Sequence, residues 1–362
     1  MAPTAPPGIA STVPVPTAAQ AARAPARAAA APGFSAEIAT DPDTGWHVPV
    51  LRFRHPNDAA RSLEARVAPD AGANLFSLRL GDDRVLAEPE HVADLKLHKS
   101  GTPVMFPMPN RVRDATFTWR GRKFSFEPNS GPNLLHGLAR NRPWRLGCPA
   151  VDRTGAEVDL VLDWDERQPD FARFPIRHRL TVVYRLVKDG IRISYAAENR
   201  SPEPFPFGFG LHPFFPVVGR RADILLWSPA PKRMEAVDNL PTGRLIPVAG
   251  TPYDLRRPRV LDELDLDDVF CGITPAMRPG FEWRDRGIRV TFAASRDFGH
   301  LVVFTPRSRP VLCIENQTCS TDAHNLHALG LRRLARLLVA PPGKTLAGWN
   351  QWKVERVRRA RA

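Results

Sequence analysis

The stretch Leu180-Thr181-Val182-Val183-Tyr184-Arg185-Leu186-Val187-Lys188-Asp189-Gly190-Ile191-Arg192-Ile193-Ser194-Tyr195 decides the fold class. Leu180, Val182, Tyr184 and Leu186 alternate with polar or outward positions, and Ile191, Ile193 and Tyr195 resume the alternation after Lys188-Asp189-Gly190. A period of two places every apolar side chain on one face of an extended strand. An Asp-Gly between two such runs is a strong short-range hairpin signal.

Working outward, the pattern recurs. Phe117 and Trp119, a turn at Arg120-Gly121-Arg122, then Phe124 and Phe126 read as a second hairpin. Val158, Leu160, Leu162 and Trp164 read as a strand, as do Ile288, Val290 and Phe292. Leu301 to Phe304, Val311 to Ile314 and Leu346 to Val357 complete the set. The 38 prolines and 24 glycines run through the body of the chain, which suits strands joined by turns and disfavours long helices. One segment has helical composition, Leu326 to Val339, with Leu331, Leu334, Leu337 and Leu338 spaced as one face. With no repeat and no linker between 35 and 357, the expectation is all-β: one large antiparallel β-sandwich domain over 34–357.

Residues 1–33 are rich in Ala and Pro and lack the apolar core of a secretory signal, so they are expected to form a disordered extension. Residues 358–362 read as a basic tail. The net charge of +13 raises a nucleic-acid reading. Its distribution opposes that reading. Nine basic residues between Arg332 and Ala362 face one acid, Glu355, and only seven of the 51 basic residues are Lys. A solvated basic tail and a general Arg bias account for the charge, so no nucleic-acid partner is expected. No apolar run reaches membrane-spanning length, so no membrane segment is expected either. Cys148, Cys271, Cys313 and Cys319 form no CxxC pair and no zinc spacing, which fits free thiols in a reduced, cytoplasmic compartment. A monomer or weak dimer is expected.

Common catalytic signatures are missing: there is no GxSxG, no GxGxxG and no HExxH, and Gly343-Lys344-Thr345 lacks the upstream glycine of a P-loop. Asp322, His324 and His327 cluster in sequence, but their spacing matches no metal motif and polar loop residues explain them. What stands out is a set of polar residues in apolar or turn-rich surroundings. Asn110-Arg111 follows Met108-Pro109, and His136 sits in Leu134-Leu135-His136-Gly137. His212 lies in Gly210-Leu211-His212-Pro213-Phe214-Phe215, Asp267 precedes Asp268-Val269-Phe270, and Glu315 ends Val311-Leu312-Cys313-Ile314. Each alone has a bland reading as a core histidine, a solvated strand end or a surface arginine.

In this order, over about residues 45 to 355, they resemble the aldose 1-epimerase (galactose mutarotase) superfamily. Trp144, Asp322-Ala323 and the closing Pro341-Pro342-Gly343-Lys344-Thr345 before Trp349 extend the resemblance. It implies a supersandwich with an open carbohydrate cleft, a sugar substrate and anomer interconversion without cofactor or metal. It also implies roles: Glu315 as general base at the anomeric hydroxyl, His212 as general acid at the ring oxygen, and Arg111, His136, Asp267 and Asn110 as sugar-binding residues. His136-Gly137-Leu138-Ala139-Arg140 and Gly101-Thr102-Pro103-Val104-Met105-Phe106-Pro107 resemble the hexose-6-phosphate 1-epimerase branch. Arg113, Arg140 and Arg142 are the candidate phosphate ligands under that alternative. An unphosphorylated aldohexose is the favoured substrate, and a non-catalytic sugar-binding protein on the same fold is the other alternative. Phe214 and Trp227 are candidate stacking residues for a sugar face.

Overall fold

The computed structural model describes residues 33–358, so the expected extension over 1–33 and the tail over 358–362 lie almost wholly outside the described residues. The quoted hairpin forms as strands His178–Val187 and Gly190–Asn199, paired antiparallel from Val187 against Gly190 outward. The turn is therefore Lys188-Asp189. Gly190 opens the second strand, where a Cβ would collide with the carbonyl oxygen of Trp352 on the neighbouring strand. Close backbone approach, more than turn geometry, demands that glycine. In the second hairpin, Thr116–Trp119 pairs with Arg122–Ser125. Its loop residues Arg120 and Gly121 both adopt positive φ, the mirror-image turn that matches strand twist.

Strands His178–Val187 and Gly190–Asn199 sit inside a ten-stranded sheet flanked by Ala156–Trp164 on one side and Thr345–Arg356 on the other. Beyond Thr345–Arg356 follow Ile288–Ala294 and Gly280–Trp283. A second, eight-stranded sheet carries Lys232–Val237, Asp267–Cys271, His300–Phe304 and Val311–Gln317 in that lateral order, then short Gly210–Leu211 and Val104–Met105. A five-stranded meander over residues 34–84 completes the main sheets. All strand pairs are antiparallel, and one continuous apolar core links the sheets through residues such as Leu180, Phe205, Phe215, Phe281 and Trp352. The molecule is the antiparallel β-sandwich expected from the sequence.

Two expectations are corrected. The helical segment is two short helices, Ala323–Ala328 and Arg332–Ala335, separated at Gly330 in the left-handed region. Leu338–Ala340 then joins Phe205–Phe207 as a strand, so sheet pairing takes the C-terminal leucine and valine away from the helical face. The basic C-terminal stretch is also largely structured. Arg332, Arg333, Lys353 and Arg356 belong to these helices and the Thr345–Arg356 strand, with Arg356 paired to Asp83 at 2.6 Å. Among the described residues, no helix is long and apolar enough to cross a membrane. All four cysteines are free, and Cys271, Cys313 and Cys319 are buried.

Candidate active site

Strand Val311–Gln317 is buried at every position, although it ends Glu315-Asn316-Gln317. On it, Val311, Cys313, Glu315 and Gln317 share one face by the period of two. The chain from 210 to 216 zips along this strand: Gly210 faces Gln317, and Phe215 faces Leu312. His212 is thereby carried past Glu315. The backbone N–H of His212 donates to the Pro103 carbonyl at 3.1 Å and that of Phe214 to Gly101 at 2.9 Å, so the Gly101–Pro107 segment clamps the other edge.

The result is direct contact between the two candidate catalytic groups. Nε2 of His212 stands 3.2 Å from Oε1 of Glu315. The Glu315 residue is 2% exposed, and the His212 side chain is 12% exposed. Gln317 donates from Nε2 to the other Glu315 oxygen at 3.1 Å. Phe214 stacks on the His212 ring with centroids 4.4 Å apart and holds its plane. The Arg309 guanidinium lies over the Phe214 ring, 5.2 Å from its centroid.

The remaining predicted residues converge on this pair. Arg111–Val112 and Leu134–Leu135 form a two-stranded ladder with Leu135 opposite Arg111, which sets His136 beside Asn110. The His136 N–H donates to the Asn110 carbonyl at 2.8 Å, and both residues occupy the left-handed region. Gly137 follows because a Cβ there would strike the Phe106 carbonyl. The His136 ring meets His212 edge to face at 5.1 Å. Asp267 arrives from two strands away in the eight-stranded sheet. Its carboxylate accepts from Asn239 at 3.0 Å and lies 3.9 Å from Arg111, which also donates to the Asn110 side chain at 3.1 Å. Asn110, Arg111, Asn239 and Asp267 line a shallow depression.

Asp322 supports this wall from behind: its N–H donates to the Arg111 carbonyl and its carboxylate accepts from the Arg113 N–H. His324 instead stacks on Phe117 and His327 packs against Trp119, so the two rings diverge, and both stand on helix Ala323–Ala328 where polar loop residues were expected. Of the arginines singled out in sequence, Arg142 pairs with Asp170 and Arg113 with Asp322. Arg140 has no carboxylate or hydrogen-bond partner among the described residues and raises the local positive potential at His98 and His136. Trp227 belongs to the ten-stranded sheet and donates to the Arg278 carbonyl. Gln317, Asn239 and Arg309 escaped the sequence reading. Alternation from Glu315 would have found Gln317; nothing local marks the other two.

Burial shapes the electrostatics. Burial, reinforced by the Asp267 charge, pushes the Glu315 carboxyl well above the usual carboxylate range, against the opposing Gln317 bond and Arg111. Burial likewise pulls the His212 imidazole down to about 3, helped by Arg309. His136 is held well below its ordinary value by burial, then by His212 and Arg140. Both shifts favour the neutral forms, a protonated carboxyl and a neutral ring, and the titration belongs to both groups together.

An antiparallel sandwich with a largely buried carboxyl–imidazole pair near a polar depression is the frame in which a family match falls. The chain belongs to the aldose 1-epimerase family, whose model it matches over residues 59–332. It is 29% identical over 182 residues to galactose mutarotase of Sus scrofa, covering 49% of this chain and 51% of that protein. It is 26% identical to maltose epimerase of Levilactobacillus brevis over 160 residues, 43% of this chain and 46% of the other. The matched stretches thus span about half the length of these relatives. In structure it resembles a galactose mutarotase-like protein from Clostridium acetobutylicum with a TM-score of 0.77 at 22% identity, covering 90% of this chain and 98% of the other. Galactose 1-epimerase from Lactobacillus acidophilus gives a TM-score of 0.69 at 19% identity, over 90% and 100% of the two chains.

Proposed function

We propose that this protein is an aldose 1-epimerase that interconverts the α and β anomers of an unphosphorylated aldohexose. The observation that carries the reading is the 3.2 Å contact between Nε2 of His212 and Oε1 of Glu315, with the carboxyl buried and the imidazole partly exposed. Ring opening needs a base at the anomeric hydroxyl and an acid at the ring oxygen, and the two oxygens share one carbon. A touching acid–base pair suits that geometry.

The single proton of the pair supplies both roles. Transfer from Glu315 to His212 leaves a carboxylate facing O1 and an imidazolium facing O5. The carboxylate takes the O1 proton, the C1=O1 bond forms, and the C1–O5 bond breaks as O5 receives the imidazolium proton. Rotation about C1–C2 presents the other aldehyde face, and the reverse steps close the ring. Neutral His136 exchanges hydrogen bonds with a ring hydroxyl, while Arg111, Asp267 and Asn110 hold the others and fix C1 against the pair.

Polarimetry on pure anomers of glucose and galactose tests this. Glu315→Gln and His212→Asn should each lower turnover by roughly 10²–10⁴-fold with circular dichroism unchanged. Near wild-type mutarotation in either folded variant would remove that residue from the mechanism.

One observation favours a second reading, a sugar 6-phosphate. The half-buried Arg140 guanidinium has no partner among the described residues and its charge acts on His98 and His136, and both ring nitrogens of His98 also lack partners among those residues. A guanidinium binds phosphate oxygens in bidentate fashion. Arg140→Ala and kcat/KM for glucose against glucose 6-phosphate separate the two. A large phosphate preference that collapses in the variant would replace the neutral-sugar reading.

A further inference from the structure

The mechanism uses His212 and Glu315 but leaves their neighbour Cys313 idle. Cys313 lies two residues before Glu315 on the same face of the strand, fully buried under Phe214 and Val311. One ligating atom from each of His212, Cys313 and Glu315 lies within 4.8 Å of the other two. Nitrogen, sulfur and oxygen donors bound to one tetrahedral zinc stand about 3.2–3.7 Å apart, so small side-chain rotations close the set. The His212 side chain is partly exposed, which gives an ion its entry path.

We propose that His212, Cys313 and Glu315 form a binding site for a thiophilic divalent cation such as Zn²⁺, which shuts off the acid–base pair while it is bound. Three protein ligands leave the fourth position open to water. An imidazole–thiolate–carboxylate set selects borderline and soft cations over Mg²⁺ or Ca²⁺, whose hard preference is for oxygen. Binding converts the Cys313 thiol to a thiolate and releases its proton to solvent. Glu315, if it holds a proton, releases that one too. With a metal, both groups needed at O1 and O5 become ligands, and sugar and cation exclude each other.

The cation-binding half of this proposal stands on geometry alone; the inhibition half rests on the epimerase reading. Co²⁺ titration of the purified protein tests the first half. Wild type should gain a thiolate-to-cobalt charge-transfer band and four-coordinate visible bands at one equivalent, displaced by Zn²⁺. Cys148 is the exposed thiol, and Cys148→Ser should keep the band. Cys313→Ser should abolish it, with Cys313→Ala as the second variant if the serine destabilises the strand. Absence of the band in wild type, or its survival in both folded Cys313 variants, overturns the site.

For the second half, Zn²⁺ should inhibit mutarotation reversibly, with chelator rescue and an inhibition constant that rises with sugar concentration. Cys313→Ser should turn over normally and need roughly 10–100-fold more Zn²⁺, at least the loss seen when a group one shell further out is removed. Equal sensitivity of variant and wild type, or inhibition independent of sugar, overturns the inhibition. If no sugar is turned over, the epimerase reading fails while the cobalt spectrum still decides the site.

Discussion

The two largest sheets of this molecule use burial for opposite ends. In the ten-stranded sheet, His178–Val187 alternates buried and half-buried positions along its whole length, and its buried face is almost entirely apolar. In the eight-stranded sheet, Val311–Gln317 is buried at all seven positions, and the last three are Glu, Asn and Gln. The first arrangement gains stability from nearly every buried side chain, His178 apart. The second holds polar groups in a place where ionisation is disfavoured, and that cost is what sets the proton on the Glu315–His212 pair. Packing and chemistry are thus weighted differently in the two sheets, although one apolar core joins them.

Substitutions should separate the two. The largest effect is on turnover in the polar sheet. Glu315→Gln should leave the thermal midpoint unchanged or higher, because a neutral amide replaces a buried carboxyl, while activity falls by the factor given above. The mirror case is Leu180→Ala in the apolar sheet, where the side chain is fully buried. It should cost about 2–5 kcal/mol in urea unfolding, with kcat per folded molecule within about twofold of wild type. A large activity loss in Leu180→Ala at full foldedness would break the division.

Acid should weaken the scaffold before it reaches the catalytic pair. His178, His300 and His324 are buried, and burial lowers each to about 3. Between about pH 6.5 and 3 the unfolded chain binds protons at these rings and the folded chain does not. Stability is therefore full above pH 6.5 and declines as pH falls, by up to about 1.4 kcal/mol per unit for each ring. Urea midpoints measured from pH 7 to 4 check the sign; a midpoint that rose on acidification would contradict it.

A smaller effect sharpens the picture of the pair. Gln317 donates to Glu315 and favours its carboxylate, so Gln317→Met should raise the alkaline limb of the kcat/KM profile by about one unit or less. Unchanged limbs would mean that the amide only fills space.

Much of this was legible from the chain. Strands with strict alternation, such as Ala156–Trp164 and His178–Val187, declare themselves because a sheet face repeats every two residues. The two glycine-bearing turns declare their hairpins. The helical segment misled because Leu331, Leu334 and Leu337 repeat like a helix face, and periodicity carries no information about Gly330 or about the Phe205–Phe207 strand waiting to pair with Leu338–Ala340. The basic C-terminal stretch misled for the same reason: composition does not report that Arg356 finds Asp83.

At the site, sequence order and residue type were enough to nominate Asn110, Arg111, His136, His212, Asp267 and Glu315. Their convergence belongs to the tertiary structure, since antiparallel pairing across three strands brings Asp267 toward Glu315 and a clamp between Gly101 and Gln317 places His212. Asn239, Arg309 and the idle thiol of Cys313 became visible only there. What the linear chain determined is which faces are apolar and where the turns fall, because those depend on neighbours one or two residues away. What folding alone decided is the protonation of the pair, because desolvation is set by atoms that sequence separates by a hundred residues.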